Sequence, residues 1–398
     1  MSRHVKVDVL IVGSGAAGLS AAVTAALNGA SVLVAEKESV IGGTSAWSGG
    51  WLWIPRNPLA REEGIEEDAS VPLTYLQHEM AGQPADARLL TFLRYGPEMI
   101  DFFRHNTVVQ FISGSRMPDF HDSPGYAQGG RSVTAQPFDG RLLGDWLHRL
   151  RPPLETISLA GMGIAGGADM AHFFNATRSP RSALYAARRL LRHVWQRLRH
   201  GRGRHLVNGN ALVARLLRAA LDAGVNFQLN APVERLLTSA AGVTGAVLRS
   251  DEGQVQVSAN AVILACGGFP HDKQRLAQHV AHAASGYGHF SAAPPGNEGM
   301  GSAWESRSAA SLTTRSDTRW PGRRFPASPS PAACSCRSRT WLNVLSRGLS
   351  PYCPTASASP TKLTPITTLL PPCWKPRRLE KLRRRGCLPT AWRCAAMD

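Results

Sequence analysis

The first fifty residues alternate short apolar runs with turns rich in glycine and polar side chains. Val7 and residues 9–12 form an apolar, mostly β-branched run with no charge after Asp8, which predicts a strand buried on both faces of a parallel sheet. Residues 16–28 predict an alanine-rich helix that ends at Gly29, and residues 31–35 predict a second buried strand. This order predicts an α/β fold that opens on a Rossmann-like unit.

The turn between the first strand and the helix carries glycines in the spacing G-x-G-x-x-G. Gly13 allows the tight turn, Gly15 lets a pyrophosphate approach the backbone, and Gly18 lets helix and strand pack closely. Glu36 ends the second strand 18 residues beyond Gly18, about where a dinucleotide fold places the acid that binds the ribose. Small and hydroxylated residues at 42–50 suit the close passage of an extended cofactor. We therefore predict a dinucleotide cofactor at the positive end of the helix dipole.

Three stretches, GSGAAG, VLVAEK and GGTSAWSGG, resemble the FAD-binding opening of the fumarate reductase and succinate dehydrogenase flavoprotein superfamily. Within it, the sequence is most similar to the 3-ketosteroid delta-1-dehydrogenase branch. The resemblance covers about residues 5–300 and implies FAD as the cofactor. It further implies that Glu36 holds the adenosine ribose, that residues 42–50 line the pyrophosphate and flavin ring, and that Val233 lies beside the adenine.

The predicted cofactor-binding residues come from the glycine turn, from the segment after the second strand, and from two later segments that the resemblance brings back to the cofactor. They are Gly13, Ser14, Gly15, Ala16, Ala17, Gly18, Glu36, Lys37, Gly42, Gly43, Thr44, Ser45, Ser48, Gly49, Gly50, Val233, Ala265 and Gly267. No catalytic residue is assigned. We predict no metal site, because His193, His200 and His205 lack cysteine or carboxylate partners at ligand spacing.

Residues 86–106 carry apolar positions that suit one or two amphipathic helices, interrupted near Gly96-Pro97. From Pro118 onward the chain loses periodicity, which is typical of functional loops. The resemblance implies that this loop covers the flavin and carries an aromatic residue at the substrate. Phe120 stands where the related enzymes tend to have tyrosine, and it has no hydroxyl with which to handle a proton.

Residues 182–200 predict a basic amphipathic helix. Its apolar side carries Leu184, Leu191, Val194, Trp195 and Leu198, and five arginines surround the rest. One interpretation is a helix that lies on a membrane surface. The interpretation that we favour is a solvated helix whose apolar seam packs against the domain, because runs of charge are usually solvated faces.

The next segments predict a return to the sheet. Residues 208–223 predict a helix and residues 225–229 a short strand, followed by hairpin strands at 243–248 and 254–258. Residues 260–269 predict a further buried strand that runs into a double-glycine turn. Cys266 lies at the end of that strand with no second cysteine nearby, so we interpret it as a small packed apolar side chain.

Composition changes abruptly after residue 300. Residues 301–398 hold 17 basic and 4 acidic residues, so +13 of the formal +17 belongs to this quarter of the chain. They also hold six of the seven cysteines, without any C-x-x-C pair, and show no sustained apolar period. A disulfide or zinc module, a nucleic-acid-binding segment around 377–385 and a disordered tail each explain only part of this composition.

A shifted reading frame explains more of the tail. If each codon began one nucleotide earlier, many serine, cysteine, tryptophan and leucine codons would encode apolar residues. With plausible third bases, residues 356–369 become GKRFTNEADSYHHF and residues 300–308 become DGLRMGESL, and both resemble segments of the same flavoprotein family. We therefore predict the loss of one nucleotide near Gly299 and Met300, an irregular, disordered tail and an incomplete FAD-binding fold.

These patterns predict an FAD-binding domain at 1–284, the start of a substrate domain at 285–300 and an unstructured basic tail at 301–398. The expected function is FAD-dependent dehydrogenation of a CH–CH donor, with a 3-ketosteroid as substrate in intact relatives and an inactive product in this chain. The alternatives are a fumarate-reductase-like flavoprotein acting on a small dicarboxylate and a non-catalytic basic protein whose tail binds nucleic acid. Because no signal peptide or long apolar span occurs, we expect a cytoplasmic protein without a transmembrane segment or a specific nucleic-acid partner.

Overall fold

The computed structural model describes residues 3–80, 85–240, 242–279 and 291–301, and a six-stranded sheet lies at its centre. The strands are β1 (Arg3–Val12), β2 (Val32–Ala35), β3 (Trp51–Trp53), β4 (Phe111–Ser113), β5 (Ser132–Ala135), β6 (Phe138–Asp139), β7 (Ser158–Leu159), β8 (Met162–Gly163), β9 (His205–Leu206), β10 (Asn226–Gln228), β11 (Val233–Ser239), β12 (Gly242–Ser250) and β13 (Gly253–Leu264).

The helices are α1 (Ala16–Leu27), α2 (Pro58–Glu62), α3 (Ser70–Glu79), α4 (Ala87–Asn106), α5 (Trp146–Arg149), α6 (Ala168–Phe174), α7 (Pro180–His200), α8 (Asn208–Asp222) and α9 (Lys273–His279). Short 3-10 turns lie at Gly43–Trp47, Gly140–Leu143 and Glu155–Ile157. Among the described residues, no helix combines the length and the hydropathy that crossing a bilayer requires.

The strand order in the central sheet is β10-β2-β1-β13-β12-β11. The first four strands run parallel, whereas β12 pairs antiparallel with both β13 and β11. From β1 the chain moves outward to β2 on one side and returns later to β13 on the other, so the strand order reverses between β1 and β13. Ligands of open α/β sheets bind at the carboxyl ends of the strands at such a point. The predicted Rossmann-like α/β fold is confirmed.

The carboxyl end of β1 is buried on both faces of the sheet, as its apolar run predicted. On one face, Ile11 packs with Leu19 of α1 and Leu217 of α8. On the other face, Leu10 belongs to a second cluster with Leu248 of β12. All five side chains are fully buried, so the sheet and its helices hold the glycine turn in a rigid frame. The prediction of a buried strand at 260–269 is wrong with respect to burial, because residues 260–264 of β13 are half-buried or exposed and Ile263 is 38% exposed.

β13 is a single strand where the sequence pattern predicted two. Its first half pairs with β12 in the predicted hairpin, and residues 255–264 pair with β1. Asn260 interrupts the apolar pattern, but its Nδ2 donates a hydrogen bond of 3.1 Å to Asp8 Oδ1 on β1. This polar pair between neighbouring strands lets β13 continue through the point at which the pattern indicated a break.

α4 is also continuous, although Gly96 and Pro97 predicted an interruption. Asp86 caps the helix by accepting a hydrogen bond of 2.9 Å from the Leu89 amide. Gly96 is buried, and a Cβ at this position would come within 3.2 Å of Ile54 Cγ2. The glycine therefore permits close packing of α4 on the segment after β3 and does not mark a helix end.

The favoured interpretation of α7 is wrong. The side of this helix that faces the domain carries Ser182, Ala186, His193 and Gln196. The predicted apolar seam faces outward instead, and Leu198 is 83% exposed. The reason lies in the polar contacts beneath the helix: His193 Nε2 lies 3.1 Å from the Ala160 carbonyl oxygen.

None of residues 114–131, between β4 and β5, belongs to a helix or strand, as predicted. The irregular stretch was predicted to continue to Gly144, and that part is wrong, because β5, β6 and the 3-10 turn Gly140–Leu143 lie within it. The predictions about the tail, including the reading frame, the disorder and the basic cluster, fall on residues 302–398. These residues lie outside the described part of the chain.

Candidate cofactor site

The glycine turn after β1 has the geometry that its spacing predicts. Gly13 adopts a φ of +104°, a conformation that favours glycine. A Cβ on Gly18 would lie 2.0 Å from the Gly13 carbonyl oxygen, so only glycine allows α1 to approach the turn this closely. Gly15 caps α1 without a side chain, and a Cβ there would contact only Ser45 Oγ, at 3.5 Å. Space for a ligand therefore lies in front of Gly15 and of the first-turn amides of α1.

A cavity of about 340 Å³ extends from this turn along the carboxyl ends of β1, β2 and β13. Its volume falls in the usual range of small-molecule sites, about 300–1,000 Å³. The structure brings most of the predicted cofactor residues together in its wall: Gly13, Ser14, Gly15, Ala16, Ala17, Glu36, Lys37, Gly43, Thr44, Ser45, Val233, Ala265 and Gly267.

Five predicted residues lie outside this wall: Gly18, Gly42, Ser48, Gly49 and Gly50. Two of them have a clear packing role. Gly42 donates its amide proton to Ser14 Oγ at 3.1 Å, and a Cβ on Gly50 would lie 2.5 Å from the carbonyl carbon of Asn208, at the start of α8. These glycines hold the 3-10 turn against its neighbours, and a direct contact with the cofactor stays a prediction for all five.

The Glu36 carboxylate is buried at the end of β2 and is tied to the glycine turn. Its Oε2 accepts hydrogen bonds from the Ser14 amide at 2.9 Å and from Ser14 Oγ at 2.5 Å, and its Oε1 accepts one from the Glu38 amide at 3.0 Å. A carboxylate offers about four acceptor positions. Glu36 therefore retains acceptor capacity toward the cavity while Ser14 fixes its orientation.

The segment 291–301 closes one side of the cavity. Lys37 Nζ donates a hydrogen bond to the Gly296 carbonyl oxygen, and Asn297 Nδ2 donates one of 2.8 Å to Thr44 Oγ1. The described part of the segment predicted as the start of a second domain thus packs directly on the cofactor cavity. Two predicted cofactor residues, Lys37 and Thr44, hold it there.

Arg151 is a residue of the cavity wall that the sequence analysis missed. Its side chain is 9% exposed, its guanidinium stacks over the Trp47 ring, and its nearest carboxylate oxygen, on Glu38, lies 3.9 Å away. The buried Nε has no hydrogen-bond partner among the described residues. A cation at the wall of a cavity suits a ligand anion. Arg151 belongs to no local sequence motif. It reaches the cavity because Leu150, the residue before it, pairs with Ile41 in an isolated β-bridge.

Cys266 lies just beyond β13 and packs against the second core cluster, as its interpretation as an apolar side chain predicted. It also lines the cavity. Within the described ranges, no cluster of three or more histidine, cysteine or acidic side chains could hold a metal ion.

The site therefore combines a helix N-terminus, a glycine turn and a held acid at the end of β2, which are parts of a dinucleotide-binding fold. Residues 8–320 match the family described as FAD binding domain. The chain belongs to this family. FAD is accordingly its cofactor, and the positive charge of Arg151 in the cavity wall and the open space before Gly15 fit a diphosphate group.

Two curated dehydrogenases are similar to this chain. A 4-oxocyclohex-2-ene-1-carboxylate 5-dehydrogenase from Sinomonas cyclohexanicum is 36% identical over 73% of this chain and 49% of its own length. A 3-oxosteroid 1-dehydrogenase from Mycobacterium tuberculosis is 34% identical over 67% of this chain and 48% of its own length. The chain spans about half the length of the curated relatives it matches.

A solved structure is also similar to this chain. The crystal structure of 3-ketosteroid delta1-dehydrogenase from Sterolibacterium denitrificans, in complex with 1,4-androstadiene-3,17-dione, has 35% identity and a TM-score of 0.67. The match covers 76% of this chain and 54% of that chain. The resemblance stated from the sequence is confirmed at the level of the family.

In this member of the FAD-binding family, the irregular loop before β5 is held by a buried arginine that the sequence analysis also missed. Arg131 is 2% exposed, and its Nη1 donates to Asp119 Oδ2 at 2.6 Å while its Nε donates to Glu67 Oε1 at 2.9 Å. Trp53 Nε1 donates to the other Asp119 oxygen at 2.8 Å. Phe120, the next residue, is 70% exposed and does not line the cavity of the cofactor.

Glu79, at the end of α3, anchors the far side of the same loop. Its carboxylate accepts a hydrogen bond of 2.6 Å from Ser123 Oγ and pairs with His121 Nδ1 at 2.5 Å. Burial acts to raise the pKa of Glu79, but the hydrogen bonds from Ser123 and His121 outweigh it, and the pKa lies below its usual value.

A larger cavity of about 590 Å³ lies beyond the Leu150 segment and is lined by several histidines and arginines. Arg202 is the most buried of these arginines, and burial lowers its pKa to about 10. Its guanidinium is already satisfied, because it donates to backbone carbonyls of residues 147, 150 and 151 and to Asn210 Oδ1 at 2.9 Å. Arg202 is therefore a structural tie between these segments.

Proposed function

We propose that this chain supplies the FAD-binding part of a dehydrogenase that desaturates a ring ketone. The observation that carries the proposal is the shared chemistry in the names of its relatives. The enzymes from Sinomonas cyclohexanicum and Mycobacterium tuberculosis are both named as dehydrogenases of a ring that carries an oxo group. The cavity supports the proposal, since its wall presents the donors and the acid that the ADP half of FAD requires.

Within this proposal, the backbone of the glycine turn and the first-turn amides of α1 bind the pyrophosphate. Glu36 uses its remaining acceptor capacity for the hydroxyls of the adenosine ribose. Arg151 and Lys37, two cations of the cavity wall, offer their charge to the phosphate side. Val233 lies in the wall beside Ala231 and Pro232, an apolar surface that suits the adenine ring.

FAD, when bound, supplies the acceptor for the hydride that leaves the substrate. The chain's own contribution is to hold the cofactor's phosphates and ribose in one place and to exclude water from them. Asn297 and Gly296, held by Thr44 and Lys37, cover one side of the cavity and support that role. We assign no catalytic base among the described residues.

For the substrate, we propose a 3-ketosteroid. The second candidate is a small oxocyclohexanecarboxylate, which the relative from Sinomonas cyclohexanicum favours. The two differ in charge and size, so a direct comparison of both compounds separates them. Fumarate serves as the third compound, because the sequence left a fumarate-reductase-like activity open.

We further propose that the chain as printed has no turnover, because the family's later motifs occur only in the shifted reading frame. The experiment compares two purified proteins: the 398-residue chain, and a version with one nucleotide inserted near codon 300 and read to the next stop codon. Bound flavin is measured by absorbance and turnover by reduction of an artificial electron acceptor.

We expect turnover from the second protein with a 3-ketosteroid and none from the first. The Gly15→Val variant of the second protein controls for acceptor reduction that does not need bound flavin. Comparable turnover from both proteins would contradict the reading-frame proposal. Flavin binding without turnover on any ring ketone, in either protein, would contradict the proposed function itself.

A further inference from the structure

The outward side of α7 is an apolar stripe bordered by arginines. Leu184, Leu191, Trp195 and Leu198 recur at intervals of three, four or seven residues, so they lie along one line of the helix. All four are exposed, from 58% for Trp195 to 83% for Leu198. Val194 is exposed beside them. From Leu184 to Leu198, at about 1.5 Å per residue, the stripe is about 21 Å long, and no described residue covers it.

A row of arginines runs along one edge of this stripe. Arg181, Arg188, Arg192 and Arg199 lie next to the apolar line on the helical wheel, and α7 contains no aspartate or glutamate. None of the ion pairs formed within the described part of the chain includes these four side chains. The Arg199 guanidinium lies over the Trp195 ring, 5.9 Å from its centroid. The surface therefore joins apolar area to uncompensated positive charge.

The contacts beneath α7 fix this orientation. Arg189 Nη2 pairs with Asp169 Oδ2 at 3.2 Å, and Arg197 Nη1 donates to the Ala160 carbonyl oxygen at 2.8 Å. Gln196 Oε1 accepts a hydrogen bond of 2.9 Å from the Arg204 amide. Turning the helix to bury its leucines would break all of these polar contacts. The domain thus holds the apolar stripe outward.

We propose that α7 docks this protein on a bilayer surface that contains anionic lipids. A helix with a strongly basic side, leucines and a tryptophan on the adjoining side and no acidic residue is the type that lies in the plane of the lipid headgroups. Anionic headgroups complement the charge of the arginine row, and the apolar stripe is buried at the boundary between headgroups and acyl chains. The neighbouring helix α6, which packs against α7, also exposes Met170 and Phe174.

The test is flotation of the full 398-residue chain with vesicles. Vesicles of equimolar phosphatidylcholine and phosphatidylglycerol are compared with vesicles of phosphatidylcholine alone. We expect binding to the anionic vesicles at about 0.1 M salt, and much weaker binding at about 1 M salt, where the Debye length falls from about 10 Å to about 3 Å. Absence of binding to the anionic vesicles would overturn the proposal.

Two pairs of variants separate α7 from the basic residues elsewhere in the chain. Arg188→Gln with Arg192→Gln should weaken binding roughly 25-fold, because each arginine near an anionic surface contributes about 1 kcal/mol. The matched control, Arg61→Gln with Arg235→Gln, removes the same charge at exposed positions off the helix and should leave binding nearly unchanged. Equal losses from both pairs would contradict a specific role for α7.

A second set of variants tests the apolar part of the surface. Leu191→Glu with Trp195→Glu should weaken binding more than about tenfold, because two exposed anchors become charged. Leu90→Glu with Leu142→Glu introduces the same charge at two exposed leucines elsewhere. Thermal unfolding confirms that each variant is folded. If the α7 pair binds vesicles like its control, or instead abolishes self-association in sedimentation experiments, a lipid surface is not the occupant of this face.

Discussion

The glycine turn after β1 and the loop before β5 are both irregular segments beside the central fold, but they are built by different means. The turn is shaped by backbone contacts, such as the approach of Gly18 to the Gly13 carbonyl, within one short stretch of sequence. The loop is held by side chains from distant positions, with Arg131 binding Glu67 and Asp119. The comparison shows that the spacing of glycines in the sequence can predict a site built from backbone. A network of side chains from distant positions can be recognised only in the folded structure.

The strongest test of this contrast removes the centre of the loop network. Arg131→Met should destabilise the protein by about 3–5 kcal/mol, because it leaves two largely buried carboxylates without their cation. Thermal unfolding of the purified chain measures the effect. Arg141→Met is the control, since Arg141 pairs with Asp139 at an exposed site and its loss should leave Tm nearly unchanged. Equal shifts in Tm for the two variants would show that the loop does not depend on its buried arginine.

Two glycines of the turn give the next largest effect. Gly15→Val should weaken FAD binding by at least about 100-fold, because the new side chain enters the space in front of the α1 amides. The variant should keep its Tm, since a Cβ at Gly15 contacts only Ser45 Oγ. Gly18→Val should instead lower Tm, because its Cβ would meet the Gly13 carbonyl oxygen. Calorimetry and flavin titration separate the two results, and a Gly15→Val protein with unchanged affinity for FAD would rule out the assigned site.

Arg151 combines the two features, because it is a side chain from a distant position in the sequence that lines the same cavity as the glycine turn. Arg151→Gln should weaken FAD binding by roughly 10- to 100-fold, the usual effect of losing a hydrogen bond to a charged group, about 1.5–3 kcal/mol. Arg151→Lys should recover part of the affinity, because it keeps the charge. Arg141→Gln is again the surface control. An unchanged affinity for FAD in Arg151→Gln would remove this residue from the site.

The smallest expected effect concerns Glu79 and the far side of the loop. The folded-state pKa of Glu79 lies below its usual value of 4.5, so its contribution to stability is present above that pH and is lost as the pH falls through the folded-state pKa. The Tm difference between the parent and Glu79→Gln should therefore be largest at neutral pH and shrink below about pH 4.5. A difference that stays constant down to lower pH would refute this role of the carboxylate.

Sequence patterns predicted the parts of this molecule that depend on neighbours along the chain. The β1 run, the glycine spacing and Glu36 indicated the Rossmann-like fold and the residues that line the cavity at the end of β1. The patterns were less successful where tertiary contacts decide. Asn260 stays within β13 because Asp8 meets it on the next strand, and Gly96 stays within α4 because Ile54 packs on it.

The orientation of α7 shows the same limit. Its periodicity predicted the helix but could not show which side faces the domain, because that choice depends on polar partners such as Ala160 and Asp169. Arg131 and Arg151 were missed for a related reason. Their partners are distant in sequence, and neither arginine stands in a motif with a fixed spacing.

Titration with FAD in the presence of ADP decides whether the cavity at the end of β1 is the cofactor site. If Gly13, Gly15 and Glu36 bind the ADP half of FAD, excess ADP should displace the flavin from the 398-residue chain, and riboflavin, which lacks that half, should neither bind nor compete. Flavin absorbance and fluorescence follow the titration. FAD that stays bound with unchanged affinity at saturating ADP, or a chain that binds riboflavin as well as FAD, would contradict the site proposed for this protein.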